Sequence, residues 1–201
     1  MRWISLVVSG VSLLAVTQLA QAGLEDEDRV RLEADAHAVT VELFETLAGR
    51  LQEAMQEDGP VAAISVCRDD APAIKTRLSL EKGWQVSRVG TRVRNPLLGT
   101  PDAWEREVLD EFERQRADGK AVPELNHSEV VSEGDQRYFR YMRGIGVQGN
   151  CLLCHGTDEQ IPEPVRDVLD DRYPHDAAWG YEVGDLRGAF TVKIPLKDSK
   201  Q

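Results

Sequence analysis

Two cysteines and a histidine fall within five residues of one another in Gly149-Asn-Cys-Leu-Leu-Cys-His-Gly156, in a chain with only three cysteines. A CxxCH run constrains its surroundings more than any other stretch here. The two thiols can each add to a vinyl group of haem, and the adjacent imidazole reaches iron from one face, which is the attachment chemistry of c-type haem. Such a run needs a short helical turn that presents Cys151 and Cys154 to one porphyrin edge and directs His155 beneath the ring. A thioredoxin-like redox pair would follow a strand in a βαβ context, and a zinc site would need a second ligand pair at related spacing. Neither pattern surrounds these residues, so one covalent haem c is the expected cofactor.

The N-terminus is consistent with that chemistry. Met1-Arg2 precedes the apolar run WISLVVSGVSLLAV and the small-residue site Ala20-Gln21-Ala22. This is the composition of a secretory signal peptide, and the run is shorter than the roughly 20 residues that span a bilayer. We therefore expect a signal peptide over residues 1–22, a single haem-binding domain over 23–201, a periplasmic location and no membrane anchor after cleavage. The formal charge is −11, which disfavours nucleic acid and anionic membranes as partners.

Apolar spacing gives the elements. From Val39 through Leu43, Leu47, Leu51 and Met55 a period of four makes one helical stripe. Gly59-Pro60 breaks the chain and opens a second helix through Ile64, Cys67, Ile74 and Leu78, closed near Gly83. Residues 84–93 read as a strand, and Thr100-Pro101-Asp102 starts a third helix that ends near Gly119. Residues 128–132 and 136–142 read as a hairpin, 162–172 as a short helix and 188–196 as a last strand. This order does not repeat as βαβ units and predicts an α+β domain with a small antiparallel sheet.

The second axial ligand matters more for function than the haem itself. A cytochrome-like Met on the far side would raise the potential, but no Met follows His155. Met55 lies on a helical stripe, and Met142 precedes the motif. His37, His127 and His175 are unassigned. Cys67 is the unpaired thiol: either a small buried hydrophobe or a thiolate ligand opposite His155, with Arg68 beside it. Arg88, Arg92 and Arg94 either meet haem propionates or form a solvated strand face. Tyr138, Phe139, Tyr141 and Trp179 either wall a pocket or fill the core.

Four segments carry a resemblance: AAISVCRDDAP, GWQVSRVGTRVRNPLLGTPDAWE, CLLCHG and YPHDAAWGYEVGDLRGAFTVKIPL. Together they resemble a family of exported c-type haem domains with a PAS-like fold, of the Cys/His-ligated sensor type also found in sensor histidine kinases. The resemblance spans roughly residues 35–196. It implies a PAS-like antiparallel sheet flanked by helices, with N-terminal helices, haem on Cys151 and Cys154, and His155 and Cys67 as axial ligands. It further implies a redox or small-ligand sensor. Unlike the sensor-kinase members of that family, this chain, ending at Gln201, is expected to carry no output domain, so such a sensor would report to a separate redox or signalling partner. A soluble electron-transfer cytochrome and a haem-thiolate enzyme acting on sulfur compounds or peroxide are the alternatives, the last using His127 or His175 as acid or base.

Overall fold

A computed structural model describes residues 26–197; the expected signal peptide lies outside them. The first helix, α1 (Asp26–Glu57), buries Val39, Leu43 and Leu47 of the stripe read from the spacing, together with Ala36, while Leu51 and Met55 at the end of the stripe are half-buried. Gly59 stops it in a left-handed conformation (φ 79°), and Pro60 then starts α2 (Gly59–Ser65). The same helical run continues through a π-helical turn, Val66–Asp70, into α3 (Ala71–Lys82). The turn has a local cause. Pro72 supplies no N–H for the carbonyl four residues back and its ring crowds that carbonyl. The chain takes in one extra residue, and the Ala71 N–H donates to Val66, five residues back. Cys67 sits on this turn, where an unbroken helix was expected.

Strand β1 (Gln85–Val89) is shorter than the predicted 84–93, because at Gly90 the backbone N–H turns to the carbonyl of Gly99. Asn95 caps α4 (Pro96–Gly99), and α5 (Ala103–Ala117) follows. A capping box starts α5: Asp102 accepts from the Glu105 N–H while Glu105 accepts from the Asp102 N–H. The hairpin β2 (Asn126–Glu133) and β3 (Gln136–Gly146) is longer than its sequence signal. The motif turn α6 (Leu152–His155), helix α7 (Glu163–Arg172) and strand β4 (Leu186–Pro195) complete the order. Among the described residues no helix is long and apolar enough to cross a membrane.

The sheet runs β1-β4-β3-β2 with every neighbour antiparallel, so the architecture is α+β, an antiparallel sheet with helices against it. Alternation along the strands separates two layers. Phe139, Tyr141, Phe190, Val192 and Ile194 face α1 and α3. Met142, Leu186 and Ala189 face Val108, Leu109 and Phe112 of α5. Each fully buried Leu or Phe contributes about 1.5–3 kcal/mol by leaving water.

One polar group interrupts the second layer. Arg140, its side chain only 4% exposed, meets Asp102 at 2.7 Å and Glu105 at 3.1 Å, and Thr191 donates to Glu105 at 2.8 Å. A buried cation keeps its charge only with such partners. Glu105→Ala removes one carboxylate from Arg140, the acceptor of Thr191 and half of the capping box. It is expected to cost about 3 kcal/mol in urea unfolding, at the low end for a broken buried pair because Asp102 remains. A loss below about 1 kcal/mol, as for an exposed pair, would show that the network does not stabilise the fold.

Candidate haem-attachment site

The motif turn is held between two small apolar clusters. Cys154 packs on Ile64 of α2 and on Ile161, Val165, Leu169 and Tyr173 around α7. Cys151 and Leu152 pack on Val147, Ala178 and Tyr181. Both thiols are half-buried. Burial pushes the Cys154 thiol above its ordinary pKa, an effect the Arg94 guanidinium opposes.

The segment leading into β4 lies along the turn. Gly180 and Tyr181 donate their backbone N–H groups to the carbonyls of Gly156 and His155 at 2.7 and 2.9 Å. In return His155 Nδ1 lies 2.6 Å from the Ala178 carbonyl. A carbonyl only accepts, so Nδ1 carries the proton and Nε2 presents a free lone pair. Burial, Arg187 and Arg94 hold the imidazole well below the usual histidine pKa. It is thus in the neutral form that ligates iron, with the backbone partner that fixes such a ring.

Two of the three predicted arginines act on the chain itself. Arg94 donates to Asp176 at 2.8 Å and to the Cys154 carbonyl at 2.5 Å, with Arg94 and Asp176 side chains 10% and 12% exposed. Arg92 donates to the carbonyls of Trp179 and Gly180 and stacks 3.6 Å from the centre of the Tyr181 ring. These bonds fasten residues 176–180 against the motif. Arg88 differs: it is exposed on β1 and its side chain forms no hydrogen bond or ion pair with any described residue, yet its charge reaches His155.

Cys67 is exposed, which removes the buried-hydrophobe reading. Its π-helical turn follows directly from the α2 segment that packs on Cys154, and the two thiols are close enough to interact electrostatically. Arg68, its neighbour, pairs with Asp69 at 2.9 Å.

The remaining candidates lie elsewhere. Met142 is fully buried in the layer facing α5, and Phe139 and Tyr141 are core on the α1 side. Tyr138 lies near the far end of β3, with Lys193 over its ring. His37 meets the Tyr141 hydroxyl at 3.0 Å, and burial pushes that phenol up to about 12. His127 stands beside Trp104 and Glu129 on the edge strand β2, and His175 is exposed.

The sequence reading missed Arg187. The β3–β4 register passes from Ile145↔Gly188 to Gly146↔Leu186, leaving Arg187 as the extra residue of a β-bulge. The bulge turns its guanidinium toward Tyr181, 5.4 Å from the ring centre, and one arm donates to the Arg92 carbonyl. Gly188 makes the bulge possible: it has φ 150°, and a Cβ there would lie 2.1 Å from the Val89 carbonyl oxygen. The available signal was a glycine inside a strand pattern.

With this geometry established, comparison with known proteins becomes informative. Among curated proteins none matches the sequence. Of solved structures, the crystal structure of the cyanobacterial heme-protein Tll0287 is similar at a TM-score of 0.63 and 24% identity, over 87% of this chain and 99% of that one. At that identity the likeness shows a shared fold. The Tll0287-like family model matches residues 18–195, which takes in every element of the sheet and the complete CxxCH turn; the chain belongs to the Tll0287-like family.

Proposed function

We propose that this protein is a periplasmic c-type haem protein that senses redox state or a small ligand. In this reading Cys151 and Cys154 bind the haem covalently, and His155 and Cys67 are its axial ligands. The observation that carries the haem assignment is the His155 ring. Its Nδ1 is engaged by Ala178 and its Nε2 is free, one residue beyond a thiol pair on a single turn. The likeness to a heme-protein of the same fold supports it. The donor set fits the group: a neutral imidazole, two half-buried thiols and an excess of guanidinium charge.

Bound there, haem supplies a one-electron couple and, where an axial position opens, a site for a diatomic gas. The chain does the rest. Ala178 orients the imidazole, Arg94 ties the Cys154 carbonyl to Asp176, and Tyr181 packs against Cys151 and edge-on to His155 at 6.2 Å. Cys67 is the donor suited to a switch, because it lies on the irregular turn Val66–Asp70 rather than in the sheet-bound frame. A thiolate ligand lowers the iron potential, and π-helical turns of this kind often lie at functional sites. Release of Cys67 would displace that turn, and a redox or signalling partner would read the displacement.

Two measurements test this. Protein exported by cells with cytochrome c maturation machinery should carry the added mass of one haem, stable to denaturation. Cys151→Ala/Cys154→Ala should lose it, and a wild-type protein without added mass would refute covalent attachment. In the haem-loaded protein, reduction should change the absorption spectrum to that of an iron that has lost its thiolate, and carbon monoxide should then bind. Unchanged six-coordination with no carbon monoxide uptake would instead identify an electron carrier.

A further inference from the structure

Four guanidinium groups converge on the His155 side of the sheet, and only two have carboxylate partners. Arg94 pairs with Asp176 at 2.8 Å and Arg92 lies 3.9 Å from Asp185. Arg88 and Arg187 form no ion pair with any described residue, although Tyr181 and Asp176 act favourably on the Arg187 charge from a distance. Arg187 is the more telling of the two. Its Nε atom is buried and has no hydrogen-bond partner among the described residues, while its Nη1 is taken by the Arg92 carbonyl. A buried charged donor without a partner is unfavourable unless an anion meets it. The fold nevertheless takes a bulge and a glycine at φ 150° to place this group.

The two arginines sit on one surface. Arg88 pairs across the ladder with Phe190 and Val89 with Ala189, so the next position of β1 lies against the bulge. A Cβ on Gly90 would meet Arg187 Nη1 at 2.9 Å, which places the bulged guanidinium directly beside the end of β1. The charges of Arg88 and Arg187 both reach His155, and each reaches the other.

We infer that Arg187 and Arg88 form the clamp for a dicarboxylate, the two propionates of the haem held on Cys151, Cys154 and His155. This rests on the haem reading above and adds residues to it. Arg187, with its guanidinium 5.4 Å from the centre of the Tyr181 ring and one arm fixed by the Arg92 carbonyl, offers its Nε edge to one carboxylate in a set direction. Arg88, exposed on β1, balances the second charge. Arg92 and Arg94 are positioning residues that hold the backbone carrying Tyr181 and His155. The clamp also places positive charge near the iron, which disfavours the more positive oxidised state and offsets part of the lowering caused by a thiolate ligand.

The test uses haem-loaded wild type, Arg187→Leu, Arg187→Lys, Arg88→Leu and Arg88→Lys, read by resonance Raman spectroscopy in the propionate bending region and by midpoint potential. Arg187→Leu should shift a propionate band and lower the potential. Arg187→Lys should keep most of the potential but still shift the band, because an ammonium keeps the charge without the directed fork. Arg88→Leu should lower the potential by less, and Arg88→Lys should restore it. Should Arg187→Leu fail to fold, Arg187→Lys and the exposed Arg88 pair carry the test. Haem-loaded variants with wild-type bands and potentials would overturn the clamp while leaving the haem intact. A wild-type chain that acquires no haem would overturn the haem reading and this inference with it.

Discussion

The hydrogen bond between His155 Nδ1 and the Ala178 carbonyl, at 2.6 Å, is the contact on which the rest of the site depends. It selects the tautomer, orients the ring and leaves Nε2 available. It can form only because residues 177–181 lie along the CxxCH turn. That lie is held by Gly180 and Tyr181 bonding back to Gly156 and His155, and by Arg94 reaching from Asp176 to the Cys154 carbonyl. The interaction is local, but its supports come from the loop after β1 and from the segment between α7 and β4. The sheet and its helices act as a frame that brings three distant stretches of chain to one imidazole.

The frame and the site differ in mechanical character. The sheet is packed on both faces, with Phe139, Tyr141 and Val192 on one side and Leu109, Phe112 and Met142 on the other, all at or near zero exposure. Cys67 belongs to the opposite regime: exposed, on a turn whose hydrogen bonding is one residue out of step with the helices around it. Under the proposed function this division is useful. The imidazole side stays fixed by the frame while the thiolate side can change, so an event at iron is converted into movement of one short segment.

Much of this was legible in the sequence because it depended on periodicity or on local chemistry. The α1 stripe, the start of α5 at Thr100-Pro101-Asp102 and the hairpin were readable since each is decided within a few residues. The CxxCH run announced its chemistry outright. The features that escaped notice act at a distance from the residue that causes them. Pro72 disturbs a carbonyl a full turn upstream, so the π-helical turn under Cys67 is not visible at Cys67. Strand β1 stops at Gly90 because Gly99, nine positions away, claims its N–H. Arg187 was passed over because its aim comes from a β3–β4 register shift, a property of strand pairing. Arg92 and Arg94 were recognised as important by type, but their partners are backbone carbonyls and carboxylates more than 80 positions on, apart from Cys154, 60 positions on.

The central claim is that one iron is held between His155 and Cys67, and low-temperature electron paramagnetic resonance of the oxidised, haem-loaded protein beside Cys67→Ala tests it most directly. The account predicts a low-spin thiolate-type signal in the wild type that disappears in the variant. The same spectrum from both proteins would contradict it and take Cys67 out of the iron's coordination sphere.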